Sequence, residues 1–284
     1  MTILVTGATG PIGRSLVSRL VAAGVEVRAT SRTPESAGMP AGVHVVGGDF
    51  ATGQLSGEAL EGVSKAFLFP ALGGVDGFLA RASAAEIEHL VVLSSLSAAR
   101  EHERDHGSFS STHHLAIESA VQASGIPHTI LRPGNLANNL LFWAWPIKTA
   151  GTVEDPYPTS AQTLLHEADV AAVAAETLLG DGHLDKVYPL TGPEVVTRRE
   201  QLATIGRAIG RELTMVEISP RTFRAQMSHF MPPPAVEMLL DCWSDTVDQP
   251  DIPLETVAAV TGRPARGLDE WATDHRADFV QARD

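Results

Sequence analysis

Short apolar runs recur through the first half of the chain, and amphipathic stretches separate them. Short apolar runs are typical of β-strands, and apolar residues that return every three or four positions are typical of helices. Leu16, Val17, Leu20 and Val21, for example, fall on one helical face. The pattern predicts strands at residues 2–6, 25–31, 43–48, 66–69, 90–94 and 128–131, with helices at 14–23, 75–85 and 110–124.

This alternation of strands and helices predicts the α/β class and a doubly wound parallel sheet. After about residue 133 the alternation loosens, with strands predicted at 163–165 and 187–190 and helices at 169–179, 198–209 and 221–230. We expect a main domain over residues 1–150, its sheet completed by parts of 160–192. Residues 151–284 are expected to form a smaller, mostly helical α/β cap.

Composition narrows the classes of partner. The 284 residues carry a formal net charge of -13, which argues against nucleic acid or an anionic membrane as the main partner. Cys242 is the single cysteine, so no internal disulfide can form, which suits a reducing cytoplasm. We find no charged leader and no apolar run long enough to span a bilayer, and we therefore expect a cytoplasmic protein.

A glycine-rich turn joins the first strand to the first helix. Its glycines, Gly7, Gly10 and Gly13, are spaced three apart, with Thr9, Pro11 and Ile12 between them. A helix that starts at such a turn points its free N–H groups and its positive dipole end at one spot, which suits a phosphate. The turn therefore predicts a dinucleotide site, with the pyrophosphate held against the backbone.

The end of the second strand indicates which dinucleotide is bound. Ser31 and Arg32 follow this strand, and no acidic residue lies there to accept from a ribose hydroxyl. An arginine suits the 2′-phosphate of NADP(H), which we favour over NAD(H), although a solvated surface arginine is the alternative. Arg14 is either a phosphate partner or a surface residue of the first turn. Asp49 either accepts from the adenine amino group or caps its strand.

Several motifs occur in an order that resembles the NmrA-like branch of the atypical short-chain dehydrogenase/reductases. They are the glycine turn, Ser31-Arg32, Gly48-Asp49-Phe50, Val92-Leu93-Ser94-Ser95, His114-x-x-x-Glu118, Leu131-Arg132-Pro133-Gly134-Asn135 and His166-x-x-Asp169. The resemblance covers about residues 2–218. It implies a Rossmann domain with a small C-terminal cap that binds NADP(H), found both in reductases and in redox-sensing regulators. It places Phe50, Phe69 and Pro70 along the cofactor, and Pro133, Gly134 and Asn135 at the nicotinamide.

The Tyr-x-x-x-Lys pair that short-chain dehydrogenases use for proton transfer is missing. Only Tyr157 and Tyr188 occur, and neither has a lysine four residues later. Ser110 and His114 occupy the matching helix and lie on one face, four residues apart. His114 either transfers a proton, contacts the nicotinamide ribose, or merely orders the helix. Ser94 and Ser95 end the fifth strand, where one of them either hydrogen-bonds substrate or nicotinamide or caps the strand.

The segment after the sixth strand predicts a substrate pocket. Asn138 and Asn139 are expected to line it, and Trp143 and Trp145 to form its apolar wall. Two alternatives stay open for the aromatic residues: packing of the cap on the core, and a subunit contact in a homodimer. Histidines and carboxylates at 101–106 and 113–114 have no recognised zinc spacing, so we predict a solvated loop and no metal site.

These features together predict an NADP(H)-dependent oxidoreductase that passes hydride to a small apolar or aromatic acceptor. A quinone, an enone or another activated carbonyl compound suits this site, since such acceptors need little acid catalysis. Two alternatives remain: a non-catalytic NADP(H)-sensing regulator, which the missing tyrosine favours, and an isomerase or dehydratase that retains its cofactor.

Overall fold

The computed structural model describes residues 1–49, 54–70 and 75–281. Strands within these ranges are named in chain order. They are β1 (Thr2–Val5), β2 (Glu26–Ser31), β3 (His44–Asp49), β4 (Gln54–Leu55), β5 (Val63–Leu68), β6 (His89–Leu93), β7 (His128–Pro133), β8 (Thr152–Asp155), β9 (Ala161–Gln162), β10 (Val187–Leu190), β11 (Val196–Thr197) and β12 (Thr214–Glu217).

The α-helices of the same ranges are named in the same way. They are α1 (Pro11–Ala22), α2 (Asp76–Ala84), α3 (Phe109–Ser124), α4 (Ala144–Ala150), α5 (Glu167–Leu179), α6 (Arg198–Ile209), α7 (Pro220–Met227), α8 (Pro233–Asp248), α9 (Thr256–Thr261), α10 (Leu268–Asp274) and α11 (Arg276–Phe279). A 3₁₀ helix over Ala137–Trp143 leads into α4.

One eight-stranded sheet organises the chain, in the order β10-β7-β6-β5-β1-β2-β3-β4. Its strands pair in parallel except at the edge, where β4 pairs antiparallel with β3. The prediction of an α/β fold with a doubly wound parallel sheet is confirmed, and the antiparallel edge strand is an addition to it. Parallel strands bring their carboxyl ends to one edge, where open sheets of this kind bind ligands.

Successive residues of a strand point to opposite faces, and each face of this sheet carries its own apolar core. Ile3 and Val5 of β1 pack on one face with α1 and α5, whereas Leu4 packs on the other with α2 and α3. Both faces are therefore covered by helices, as the continuous apolar strands predict.

The C-terminal part has two smaller apolar clusters. One joins α6, α10 and α11 to the 137–147 segment around the fully buried Trp271. The other joins α7 and α8, where Phe223 packs edge-on against Trp243 with ring centroids 5.3 Å apart. Parts of this region return to the sheet, since β10 pairs with β7 and α9 packs beside α5. The boundary at residue 150 stays a prediction.

Two predicted elements of the C-terminal half differ in the structure. The strand predicted at 163–165 lies instead at Ala161–Gln162, paired with β11, and Leu165 makes a single bridge to Leu136. Leu164 and Leu165 are buried as core residues, and burial alone produced the apolar signal there. The helix predicted at 221–230 ends at Met227. The next helix, α8, begins within a run of prolines, which the pattern did not identify as a helix start.

Among the helices of the described ranges, none combines the length and the apolar character that crossing a bilayer demands.

Candidate active site

The turn between β1 and α1 is packed so closely that two of its three glycines, Gly7 and Gly13, are required. Gly7 has a φ of +61°, in the left-handed region, and a β-carbon there would lie 2.7 Å from the β-carbon of Phe69. A β-carbon at Gly13 would lie 2.2 Å from the carbonyl oxygen of Gly7. Gly10 donates its N–H to the same oxygen at 3.1 Å and forms the N-cap of α1 without any side-chain cap. The first N–H groups of the helix therefore point into the space above the turn.

A cleft of about 430 Å³ opens above this turn. The predicted cofactor residues that line it are Gly7, Thr9, Gly10, Pro11, Ile12, Gly13, Ser31, Arg32, Asp49, Phe69 and Pro70, and they are joined by Thr30, Gly48, Leu136 and Asn138. Phe50 lies outside the described residues. The cleft runs from the helix N-terminus to the ends of β2 and β3, as a dinucleotide requires.

Arg14 holds the cleft together from outside. Its Nε donates to the carbonyl oxygen of Thr9, its Nη1 to that of Gly38 and its Nη2 to that of Ala37, each at 2.9 Å. These three bonds tie the glycine turn to the loop after β2. Of the two predicted roles, the geometry favours a structural one over phosphate binding.

The end of β2 presents one buried and one exposed polar residue to the cleft. The Ser31 hydroxyl accepts from the backbone N–H of Thr33 at 3.1 Å, which shapes the turn after the strand. Arg32 is exposed and lines both the cleft and a smaller adjoining pocket, which Asp49 and Gln54 also line. Arg32 can thus meet a phosphate at this end of the cleft.

Phe69 is fixed at the middle of the cleft by a residue that the sequence analysis did not identify. The Thr6 hydroxyl accepts from the backbone N–H of Phe69 at 2.7 Å, so the ends of β1 and β5 are joined. Phe69 is 40% exposed and forms part of the cleft wall.

Ser94 is engaged in a buried network. Its hydroxyl donates to Oε1 of Glu118, which also accepts from Nε of Arg132 at 2.9 Å, while Oε2 accepts from Nη2 of Arg132 at 2.6 Å. Ser94 and Glu118 are 2% and 3% exposed. The network joins β6, α3 and β7, which makes Ser94 a positioning residue and leaves its hydroxyl proton committed to Glu118.

Ser110 belongs to a cluster of three hydroxyls. The hydroxyl oxygen of Ser97 lies 2.8 Å from that of Ser110 and 3.0 Å from that of Ser95, and Ser110 lies 3.4 Å from Ser95. The cluster lies next to the carboxyl end of β6 and includes Ser97, which the sequence analysis did not identify.

His114 is a neutral imidazole at physiological pH. Burial, together with the neighbouring ring of His113 at 5.1 Å, lowers the pKa of His114 to about 4. Its Nδ1 is buried and finds no hydrogen-bond partner among the described residues. Ser94, Ser110 and His114 lie outside the linings of the cleft and of the second cavity described below.

The segment after β7 forms a wall with ligand-facing polar groups. Pro133 pairs in register with Leu190, and Gly134 donates its N–H to the carbonyl oxygen of Leu190 at 2.8 Å. Pro133 and Gly134 therefore lie at the carboxyl edge of the sheet. The Asn135 amide donates to Asp251 at 3.1 Å.

Both polar atoms of the Asn138 side chain are buried without a partner in the described part of the chain, and Asn138 lines the cleft. Buried amides are normally hydrogen-bonded, so Asn138 fits a bound cofactor.

A second cavity, of about 290 Å³, lies on the other side of this wall. Its polar lining residues are Asn135, Asn139, Glu154, Asp155, Gln162 and Arg198. Its apolar lining residues are Leu140, Phe142, Trp143, Leu164, Phe223, Met227, Met231, Leu239 and Trp243. Such a lining suits an apolar or aromatic ligand with few polar atoms.

The predicted pocket residues are thus divided. Asn138 faces the cofactor cleft, Asn139 and Trp143 face the second cavity, and Trp145 on α4 is 74% exposed and lines neither.

Within the described residues no group of His, Cys, Asp and Glu side chains is arranged to hold a metal ion. Residues 101–106 are anchored at Arg104, which pairs with Asp245 and, at 3.0 Å, with Asp251.

Arg198 and its partner Asp155 are further site residues that the sequence analysis missed. Arg198 is the first residue of α6, where a cation opposes the helix dipole. Such a placement needs a compensating anion, and that conflict was the available signal.

The chain is similar to reductases over almost its full length. A family model described as NAD(P)H-binding matches residues 7–181. The (4-alkanoyl-5-oxo-2,5-dihydrofuran-3-yl)methyl phosphate reductase of Streptomyces griseus is 36% identical, over 98% of this chain and 99% of the relative. The NAD(P)H azoreductase of Xenophilus azovorans is 30% identical, over 99% and 100%.

Solved structures agree with the fold. The NADPH-dependent quinone oxidoreductase of Escherichia coli has a TM-score of 0.78 at 25% identity, covering 96% of this chain and 98% of that one. The triphenylmethane reductase of Citrobacter has a TM-score of 0.79 at 20% identity, covering 97% and 99%, and this second likeness shows the fold alone.

Proposed function

Because the chain belongs to the NAD(P)H-binding family and is an NAD(P)H-dependent oxidoreductase, we propose that it reduces a small, apolar, activated acceptor. A quinone, an enone or another activated carbonyl compound is the class proposed. The observation that carries the proposal is the pair of cavities on either side of the 135–140 segment, one suited to a dinucleotide and the other apolar.

The cofactor is proposed to be NADP(H) rather than NAD(H), with the pyrophosphate over Gly10 and the N-terminus of α1. Arg32 would meet the 2′-phosphate, and Asn138 would hydrogen-bond the cofactor with its orphan amide. The resemblance puts Pro133, Gly134 and Asn135 next to the nicotinamide. Bound NADPH supplies a hydride to the acceptor and becomes NADP⁺.

The acceptor gains a proton as well as the hydride, and we propose that water supplies it, because Ser110 and His114 lie outside the linings of both cavities. Water is a weak acid, which is why the acceptor must be activated. His114, neutral at physiological pH, would order α3. Ser94 acts through Glu118, which keeps the end of β6 in place.

Two relatives support an electron-poor acceptor. The name of the Streptomyces griseus enzyme describes an unsaturated lactone that carries an acyl group and a methyl phosphate, and that of the Xenophilus azovorans enzyme an azo compound. Both names describe acceptors with conjugated double bonds, which supports an activated acceptor for this chain.

Stopped-flow oxidation of NADPH with matched acceptors tests the proposal. We expect turnover with a quinone and with a cyclic enone, and none with the saturated ketone of the same ring. Substituting NADH should lower the affinity for the cofactor without changing the order of the acceptors. Absence of NADPH oxidation with every acceptor would contradict the proposal.

A further inference from the structure

Arg198 is a nearly buried cation in the wall of the second cavity. The residue is 6% exposed, and its guanidinium lies over the rings of two tryptophans, 3.9 Å from the centroid of Trp243 and 5.1 Å from that of Trp143. The backbone N–H of Arg198 donates to the carbonyl oxygen of Ser160 at 3.0 Å. The side chain is therefore held in a fixed position.

Asp155 contacts two of the three side-chain nitrogens of Arg198. Nε donates to Oδ2 of Asp155 at 2.7 Å, and Nη2 lies 2.5 Å from the same oxygen. The other oxygen of Asp155 accepts from the backbone N–H of Tyr157 at 2.9 Å. Nη1 has no acceptor within the described ranges. Nη1 does not belong to the fully buried polar atoms of these ranges, so it stays accessible, and a ligand atom in the cavity that Arg198 lines can accept from it.

The surrounding charges select the kind of ligand atom. Asp155, 1% exposed, neutralises Arg198, and Glu154 adds a further negative charge to the cavity lining. A phosphate or a carboxylate would meet these two carboxylates, whereas a neutral carbonyl oxygen can accept from Nη1 without that repulsion. The aromatic and aliphatic lining also disfavours a strongly hydrated ligand, because such a ligand would lose its water without gaining equivalent hydrogen bonds.

We propose that Nη1 of Arg198 donates a hydrogen bond to a carbonyl oxygen of an uncharged, planar, apolar acceptor, and that Arg198 is therefore a specificity-determining residue. This rests on the proposed function, since it names the substrate class of the same site. The tryptophans restrict the movement of the guanidinium, and the ion pair with Asp155 compensates the charge of this buried cation.

The experiment measures binding without cofactor, by calorimetry, for two matched ligands: menadione and its parent hydrocarbon methylnaphthalene. A hydrogen bond from a charged group should make menadione bind at least about tenfold more tightly. The variant Arg198→Lys keeps a cation beside Asp155 but lacks the planar guanidinium. In this variant the preference for menadione should disappear, while the affinity for methylnaphthalene should stay unchanged. Arg207→Lys is the matched control, because Arg207 lies on the same helix but is exposed and pairs with Asp269 at 2.9 Å.

Equal affinities for the two ligands in the unaltered protein would overturn the inference, and so would an unchanged preference in Arg198→Lys. If Arg198→Lys does not fold, a structure of the unaltered protein with menadione decides. A carbonyl oxygen within hydrogen-bond distance of Nη1 supports the inference, and one placed elsewhere overturns it. Failure of NADPH oxidation alongside a clear carbonyl preference would overturn the proposed function and leave this binding site standing.

Discussion

Arg32 follows β2 and faces both the cofactor cleft and the smaller pocket beside it. Arg32→Ser should weaken NADPH binding by about tenfold to a hundredfold and leave NADH binding nearly unchanged, since it removes a charge-assisted hydrogen bond to one phosphate. Fluorescence titration with each nucleotide measures both affinities. Arg199→Ser, at an exposed position on α6, controls for the loss of one positive charge. Equal losses for NADPH and NADH would contradict the role given to Arg32.

His114 provides a second test at this scale, because its pKa of about 4 keeps it neutral in the working range. His114→Gln, also neutral and hydrogen-bonding, should leave the shape of the kcat/KM profile between about pH 6 and pH 8 unchanged. His113→Gln is the neighbouring control. Loss of an ionisation from that profile in His114→Gln alone would show that the imidazole does titrate there.

The same residue affects acid stability with a definite sign. The unfolded chain binds a proton at His114 below about pH 6.5, whereas the folded protein does not until about pH 4. Stability therefore falls as the pH is lowered through this window, and His114→Gln should make the fall shallower in urea unfolding.

Individual residues were predictable from the sequence where one local rule decides them. Gly7, Gly10 and Gly13 follow from the backbone geometry of a strand–turn–helix unit, and the structure shows the close contacts that require two of them. Arg198 was not predictable in this way, because its partner Asp155 is 43 residues away and only the fold brings them together.

The carboxylate of Glu118 joins three elements, β6, α3 and β7. Glu118→Ala should lower the free energy of unfolding by about 3–5 kcal/mol, because it leaves Arg132 without its partner in a partly buried site and Ser94 without an acceptor. Glu176→Ala on α5, where the side chain is exposed, should change it by less than about 0.5 kcal/mol. Urea unfolding of both variants measures the difference. Similar values for the two would mean that the network contributes little.

At the scale of elements, the sequence predicts the strands of the main sheet well, because each is an apolar run between turns. The short pairs β8–β12 and β9–β11 carry no such signal, since their residues pair across 62 positions and across 34 to 36 positions, with little apolar character. The start of α8 was hidden by Pro232, Pro233 and Pro234, which read as a loop although proline is compatible with the first turn of a helix.

On the scale of the whole molecule, the C-terminal helices are fastened to α5 by ionisable side chains. Nε2 of His275 lies 2.7 Å from Glu167 and its Nδ1 lies 2.9 Å from Asp278. His166 lies 3.1 Å from Glu167 and 3.3 Å from Asp274. Hydrogen bonding to Glu167, and then to Asp278, raises the pKa of His275. Burial acts to raise the pKa of Glu167, but the neighbouring His166 and the hydrogen bond with His275 outweigh it and lower that pKa.

This contact predicts a stability that declines toward alkaline pH. With a raised pKa in the folded protein, the contribution of His275 is complete below about pH 6.5 and is lost as the pH rises through the folded pKa. His275→Gln should therefore cost more stability near pH 6 than near pH 8, by on the order of 1 kcal/mol or less for a partly solvated pair. Urea unfolding at both pH values checks this, with His44→Gln at an exposed position as the control. A larger cost at the higher pH would reverse the sign argued here.

The 135–140 segment lines both cavities, with Leu136 and Asn138 on one side and Asn135, Asn139 and Leu140 on the other. In a redesign for a new acceptor, some residues of the second cavity can therefore be substituted more freely than others. A change in this segment would disturb the neighbours of the dinucleotide at the same time. Helices α7 and α8 contribute Phe223, Met227, Leu239 and Trp243 to the second cavity and are absent from the described lining of the cleft. Libraries restricted to these two helices would alter the fit of the acceptor while the coenzyme is held as before.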